Sequence, residues 1–348
     1  MTLSRAQSFA VRRGTVVASV ALCVAGPAHA QEPATVFSTE APLTLTVRTD
    51  LRALLRDRGE DREEHKAMVR YTGPNGGTDS IAAELRQRGN FRRRASICPF
   101  PPLRLDIRPR DARETMFAGE RRFKLVTHCR SNDLYEQYVL QEYLIYRIYA
   151  LLTDLSLRTR LARITYEDAT GREDPVTRHS FLIEHENRLA DRHGMRVVED
   201  TGAPVARLDP QHTVFMAVFQ YFIGNTDWSV RALHNIILLA DSAGRLFPVP
   251  YDFDWSGVIA TRYARPDTSL HIRSVEQRLY AGYCGSPEEF EQVFGKFRQN
   301  RAAIEALYDL EGLDRQHRGR ALRYYETFFR MIDDPRRVQS EMLGRCRG

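Results

Sequence analysis

The sequence predicts a two-lobed α+β fold, with a β-rich N-terminal lobe and a mainly helical C-terminal lobe. Three observations support this prediction. Short runs after residue 40 alternate apolar and polar residues, as half-buried strands do. A long segment, residues 133–152, follows several of these runs and has helical periodicity. From Pro287 onward the spacing and the composition are helical. The boundaries predicted are residues 31–186 for the first lobe, which includes the long helix, and residues 187–348 for the second.

The first 30 residues have the features of a removable signal peptide. Arg5, Arg12 and Arg13 form a positive region, and residues 16–24 are apolar. Ala28-His29-Ala30 then gives a small-x-small cleavage site. The apolar run is shorter than the roughly 20 helical residues that cross a bilayer, and no later segment is longer. We therefore expect export to the periplasm or the exterior, with no transmembrane segment after cleavage.

The charge balance does not favour nucleic-acid binding. The chain has a formal net charge of +6, and the predicted signal peptide contains three of the arginines and no acidic residue. Basic clusters such as Arg92-Arg93-Arg94 and Arg121-Arg122 are offset by acidic residues elsewhere, so we expect most of them to be solvated faces.

Four cysteines remain after residue 30, an even number that is compatible with two disulfides in an oxidising compartment. Their spacing fits no zinc site, and three connectivities are open. We favour Cys98–Cys129 and Cys284–Cys346 because each pair lies within one half of the chain.

The individual elements follow from local patterns. Residues 43–47 alternate as a strand, and Asp50 can cap a short helix that reaches Arg56. Asp209-Pro210 begins another helix, with proline at its first position, and Gly224-Asn225 ends it. The other predicted strands cover residues 66–71, 80–86, 103–107, 123–127, 161–166, 180–184, 235–239 and 246–249.

Polar residues at the ends of apolar elements form the densest functional signal. They are Asp227 in Gly-Asn-Thr-Asp-Trp, Asn235 in a His-Asn pair, and Asp252 and Asp254 in Pro-Tyr-Asp-Phe-Asp. Loops on a rigid scaffold commonly carry catalytic residues. Phosphoryl transfer needs such a set, because one carboxylate accepts a proton while amide and carboxylate oxygens hold magnesium.

Residues 36–166 and 209–258 resemble the spore-coat CotH-like kinases, an atypical branch of the protein-kinase-like fold. Arg88-Gly89-Asn90 after a strand, the long helix, and the Asp, His-Asn and D-x-D motifs carry the resemblance. The Gly-Asn-Thr-Asp run is also similar to that of the HipA-like kinases. The resemblance implies a two-lobed protein-kinase-like fold. It also implies phosphate transfer from ATP, with Mg²⁺ or Mn²⁺, to a protein substrate of the envelope or exterior.

The resemblance assigns Asp227 as the catalytic base and Asn235 and Asp252 as magnesium ligands. Asp254 is an alternative or second carboxylate. Seven residues separate Asp227 from Asn235, whereas four separate the corresponding residues of an ordinary kinase loop. The alternative interpretation is that Asn235 caps a turn while Asp252 and Asp254 flank a bend.

Other residues are candidates for nucleotide binding. Lys124 lies on a predicted strand before the long helix, and Glu142 lies on the largely apolar face of that helix. A carboxylate there should be costly unless it is paired, so Lys124 is the partner that a kinase would use. The tyrosine hydroxyls of that face are the other option. Arg104 is a rival cation, and Glu184 resembles the segment that lines the adenine pocket.

Two rival functions stay open. One is a catalytically inactive scaffold or binding protein of the cell envelope, because ATP is scarce outside the cytoplasm. The other is an enzyme that transfers the AMP moiety with the same metal and phosphate contacts.

Overall fold

The first half of the described chain forms a closed barrel of seven strands. The computed structural model describes residues 1–2, 35–73 and 76–347, so the predicted signal peptide, apart from residues 1–2, lies outside the described residues. The barrel strands are β1 (Leu43–Thr49), β2 (His65–Thr72), β3 (Thr78–Gln87), β4 (Leu103–Ile107), β5 (Arg122–Val126), β6 (Thr159–Asp168) and β7 (Val176–Ile183). Their order around the barrel is β1-β2-β3-β4-β5-β7-β6. The closing pair, β1 and β6, is parallel, and the other neighbours are antiparallel.

A small antiparallel sheet and most of the helices follow. The sheet strands are β8 (Arg196–Val198), β9 (Ile236–Ala240) and β10 (Leu246–Pro250), in the order β10-β9-β8. The helices are α1 (Leu51–Arg56), α2 (Pro109–Ala112), α3 (Asp133–Leu152), α4 (Glu186–Arg192), α5 (Pro210–Ile223), α6 (Pro287–Ala306), α7 (Arg315–Ile332) and α8 (Pro335–Val338).

Side-chain caps fix the beginnings of the helices. Asp50 accepts a hydrogen bond from the amide of Ala53 at the start of α1, as predicted. Asn132 caps α3 through the amide of Leu134, and Asp209 caps α5 in front of Pro210. These residues satisfy amides that have no partner within the helix. The predicted starts of all three helices are confirmed.

Helix α3 joins the barrel to the C-terminal helices. It packs close to β6 and β7 of the barrel and to α6. Four of its tyrosines, Tyr138, Tyr143, Tyr146 and Tyr149, are at most 7% exposed. A single apolar cluster contains residues of α3, β7, α5, α6 and α7. Two polar residues in the middle of α3, Gln141 and Glu142, are therefore deeply buried.

The predicted two-lobed protein-kinase-like fold with a mainly helical C-terminal lobe is wrong. The structure has a closed, mixed seven-stranded barrel, a three-stranded sheet and several helices instead. The barrel closes because β1 pairs in parallel with β6. In this pairing, for example, Leu45 lies opposite Ile164. Apolar periodicity locates strands but does not show which distant strands pair, so this contact was not predicted.

Both favoured cysteine pairings are confirmed. Cys98 and Cys129 are bonded with their Cα atoms 4.7 Å apart, and Cys284 and Cys346 with theirs 4.8 Å apart. Such bonds are compatible with an exported protein. Within the described residues, no helix is both long enough and apolar enough to cross a membrane.

Gly224 ends α5 and fixes the turn that follows. Its φ of +69° is left-handed, and a Cβ added there would lie 1.9 Å from the hydroxyl of Tyr324. The carbonyl of Gly224 also accepts a hydrogen bond of 3.0 Å from the amide of Gly257. A side chain at this position is therefore excluded by both the backbone conformation and the lack of space.

We predict that Gly224→Ala lowers the free energy of unfolding by about 2 kcal/mol or more. Urea denaturation measures the change. Gly295→Ala is the control, because Gly295 lies inside α6 and an added Cβ meets nothing within 4 Å. That variant should gain up to about 1 kcal/mol through helix propensity. A Gly224→Ala protein as stable as the wild type would contradict this account.

Candidate functional site

The open end of the β9–β10 hairpin brings two of the predicted site residues together. Asn235 precedes β9 and Asp252 follows β10, and the amide of Tyr251 donates a 3.0 Å hydrogen bond to the carbonyl of Asn235. Asn235 and Asp252 both have left-handed backbones, with φ of +53° and +61°. Asparagine and aspartate adopt this conformation more readily than other non-glycine residues. Backbone strain of this kind is concentrated at functional sites.

Asp227 lies beside this hairpin end with its carboxylate held at both oxygens. Its Oδ1 atom lies 2.9 Å from Nε2 of His234, and its Oδ2 atom accepts a 3.0 Å hydrogen bond from Nδ2 of Asn235. The amide of Asp227 donates to Oδ1 of Asn225, just beyond the end of α5. The side chain is 33% exposed. Asp227 is thus oriented by its neighbours and still accessible to a substrate.

These residues line one cavity of about 530 Å³, here called the central cavity. A volume of this size is within the range of small-molecule sites. Its lining includes Asp227, Asn235 and Asp252 together with residues 88–92. The aromatic side chains of Phe91, Tyr251 and Trp255 also face it.

Arg92 is the centre of a buried group of charges, here called the Arg92 cluster, which contains Arg92, Glu142, Asp252 and Asp254. The guanidinium is paired with Asp252 and lies 3.5 Å from Glu142 and 3.3 Å from Asp254. The side chain of Arg92 is only 9% exposed. The expectation that Arg92 belongs to a solvated face is therefore wrong for this residue.

One guanidinium does not satisfy all the oxygens of these three carboxylates, of which Glu142 and Asp254 are buried. Oε1 of Glu142 and Oδ2 of Asp254 are buried and accept no hydrogen bond. Burial raises the pKa of Glu142 to about 7 and raises that of Asp254 well above its usual range. Burial acts in the same direction on Asp252, but the charges of Arg92 and Arg88 hold its pKa below the usual value. Asp252 is thus the carboxylate of the cluster whose charged form Arg92 and Arg88 stabilise most.

The structure pairs Lys124 and Glu142 with other residues instead of with each other. Nζ of Lys124 lies 2.9 Å from Glu186 and 4.6 Å from the ring centre of Tyr251. Burial lowers the pKa of Lys124. Glu142 faces Arg92. Lys124 therefore lies behind the aromatic wall of the central cavity and does not line it.

Arg104 and Glu184 lie outside the central cavity as well. Arg104, on β4, pairs with Glu64 and Asp106. Glu184 is 1% exposed, accepts a hydrogen bond from the amide of Arg158 and pairs with Arg192 at 2.7 Å. Both side chains thus have local partners that account for their charge.

Arg88 as well as Arg92 lines the central cavity. Arg88 follows β3 and is half-buried. It forms no ion pair with any other described residue. Sequence reasoning treated Arg88-Gly89-Asn90 as either a phosphate-side turn or a plain hairpin exit, and it assigned the phosphate-binding charge to Lys124 or Arg104. The run of arginines from 88 to 94 was the signal that could have located both Arg88 and Arg92.

Two residues of the cavity lining have the side-chain oxygens that the predicted magnesium site needs. Asn235 and Asp252 offer the amide and carboxylate oxygens that a hard cation prefers. Asp254 lies against Arg92 and is 5% exposed, so it is poorly placed as a ligand. The described residues contain no group of three or more His, Cys, Asp or Glu side chains that could hold a metal. Magnesium in phosphoryl transfer commonly takes one or two protein ligands and completes its shell with phosphate and water.

No protein-family model matches this chain, and the search of curated proteins finds no significant relative.

The pKa of Glu142 predicts a pH-dependent contribution to stability. Between the ordinary value of 4.5 and about 7, the folded protein holds a proton that the unfolded chain releases. The contribution of Glu142 to stability is therefore present at low pH and declines as the pH rises. We predict that the stability of the wild type relative to Glu142→Gln falls by roughly 1–3 kcal/mol between pH 5 and 7.5.

Urea denaturation at several pH values measures this difference. Buried His128 and His212, with pKa values of about 4, also change stability in this range but contribute equally to both proteins. Glu305→Gln on the surface of α6 is the control and should show no such trend. A difference between wild type and Glu142→Gln that is independent of pH would refute the assignment.

Proposed function

We propose that the protein is an exported phosphotransferase that moves the γ-phosphoryl group of a nucleoside triphosphate to a hydroxyl group of a protein. One observation supports this most strongly. The central cavity is lined by Asp227, Asn235 and Asp252, and also by Arg88. Arg88 forms no ion pair with any other described residue, so its charge is available to a ligand. The proposal depends on this geometry and on the resemblance of the motifs to those of CotH-like kinases. It does not require the two-lobed architecture.

Arg88 is the residue we assign to the phosphates. A guanidinium can donate two parallel hydrogen bonds to a phosphate group, and this geometry adds specificity to the charge. Gly89 has a φ of +83° and no atom within 4 Å of an added Cβ, so the turn beside Arg88 is open to a ligand. Phe91, Tyr251 and Trp255 provide aromatic surface for the base.

Asp227 is the residue we assign to the acceptor. Its carboxylate takes the proton of the attacking hydroxyl as the oxygen forms a bond to the γ-phosphorus. The bond from that phosphorus to the leaving diphosphate then breaks, which releases the nucleoside diphosphate. His234 and Asn235 keep the carboxylate in place through its two oxygens. Magnesium held by Asn235 and Asp252 would neutralise charge on the phosphates.

A non-catalytic binding protein is the second candidate, and Arg92 is the observation that favours it. Its guanidinium already provides the positive charge for Asp252. A site that is complete without a metal can bind an anionic ligand without transferring any part of it. The two candidates differ in whether label leaves the nucleotide.

We predict that the protein transfers γ label, but not α label, from ATP to protein in the presence of magnesium. Asp227→Asn should lower transfer by about a hundredfold or more while nucleotide binding changes less than about twofold. Asp241→Asn is the control, because Asp241 lies in the turn of the β9–β10 hairpin and binds Arg245. Label transfer is measured by mass analysis, and nucleotide binding by calorimetry. Transfer of α label would instead indicate AMP transfer, and binding without transfer would favour the non-catalytic candidate.

Arg88→Met should weaken ATP binding by about tenfold. Arg104→Met removes an arginine of the same barrel that lies outside the cavity and should leave ATP binding unchanged. Equal ATP affinity of the wild type and Arg88→Met would contradict the phosphate role.

A further inference from the structure

A groove leads away from the central cavity along the loop that carries Arg92. It is here called the basic groove and is lined by Arg58, Glu60, Asn90, Phe91, Arg93, Arg94 and Ala95. Asn90 and Phe91 also line the central cavity, so the groove and the cavity are adjacent. A chain whose hydroxyl enters the cavity can therefore extend into this groove.

The three arginines of the basic groove form no ion pair with a carboxylate of the described residues. Neither Arg93 nor Arg94 takes part in an ion pair within the described part of the chain. Arg93 donates a hydrogen bond to the carbonyl of Gly59, and Arg94 is exposed. Glu60 is the one carboxylate among the residues of the groove, and it is exposed as well. The groove therefore has an excess of positive charge.

The arginines stand on a rigid support. Arg58 donates hydrogen bonds to the carbonyls of Arg93, Cys98 and Pro99, at 2.6, 3.1 and 2.6 Å. The disulfide of Cys98 with Cys129 holds the end of the same loop. A fixed loop loses little conformational freedom when a ligand binds, which favours recognition.

Phe91 connects the groove to the cavity. The guanidinium of Arg94 lies 5.6 Å from its ring centre, and the ring of Trp255 lies 5.2 Å away on the cavity side. Phe91 thus lies between an arginine of the groove and an aromatic residue of the cavity.

We propose that the basic groove binds an acidic segment of the protein substrate, with aspartate or glutamate side chains against Arg93 and Arg94. The acceptor hydroxyl then lies in the central cavity, a few residues away along the chain. This inference rests on the proposed function for the position of the acceptor. It names the substrate class as serine, threonine or tyrosine residues flanked by acidic residues.

The test compares two fluorescein-labelled peptides that contain one serine followed by four glutamates or by four glutamines. Fluorescence anisotropy with the oxidised full-length protein, without nucleotide, measures their binding. The glutamate peptide should bind about five- to tenfold more tightly at low salt, and the preference should shrink as salt is added. The double variant Arg93→Gln, Arg94→Gln should lose this preference while its thermal melting stays unchanged.

The double variant Arg110→Gln, Arg113→Gln is the matched control. It removes the same charge from an exposed part of the barrel half and should keep the preference. Equal binding of the two peptides to the wild type would overturn the inference. So would equal losses in the two double variants, or a single-stranded oligonucleotide that binds as tightly as the glutamate peptide.

Phosphate transfer to the two peptides separates this inference from the proposed function. A binding preference without any γ-label transfer would support the groove and reject the phosphotransferase. Equal transfer rates and equal binding for both peptides would support the phosphotransferase and reject the groove.

Discussion

The pairing of Arg92 with buried carboxylates is the interaction on which the site depends. Arg92 comes from the loop after β3, Glu142 from the middle of α3, and Asp252 and Asp254 from the segment after β10. A buried charge without a partner costs several kcal/mol. Arg92 therefore fixes where the barrel, the central helix and the small sheet meet, and the central cavity lies at that meeting point.

Other contacts support the same arrangement. The hydroxyl of Tyr146, one turn along α3 from Glu142, accepts a 2.9 Å hydrogen bond from the amide of Asp252. The Cys98–Cys129 disulfide anchors the far end of the loop that carries Arg92. The cluster still leaves two buried carboxylate oxygens without hydrogen bonds. Incomplete satisfaction of this kind is expected where a protein retains polar groups for function at a cost in stability.

Local features of the structure could be predicted from the sequence, and long-range ones could not. Asp50 and Asp209 are residue types that commonly cap helices, and this short-range signal correctly located the starts of α1 and α5. The ends of β9 and β10 were also located, which explains why Asn235 and Asp252 were chosen together. Barrel closure between β1 and β6 has no local signal.

The sequence also did not predict which charged residues form ion pairs with each other. A buried arginine and a solvated arginine look alike in a basic run, so Arg92 could not be told from Arg94. Lys124 was considered as the partner of Glu142 because kinases pair a lysine of a strand with a glutamate of the helix that follows. In the barrel, however, the side chain of Lys124 meets Glu186, at the start of α4. Helix α4 lies in a polar stretch without clear apolar periodicity, so the sequence analysis predicted no helix there.

The most direct test of this account is amide hydrogen exchange of Arg92→Met compared with the wild type. Removal of one partner of a buried pair typically costs about 3–5 kcal/mol. We expect faster exchange in residues 88–99 and in residues 251–255 together. The paired strands β1 and β6, neither of which is a neighbour of β3 in the barrel, should be less affected. Arg94→Met, on the same loop but exposed, should exchange like the wild type. Unchanged exchange in Arg92→Met, or a uniform increase over the whole barrel, would contradict the central role of Arg92.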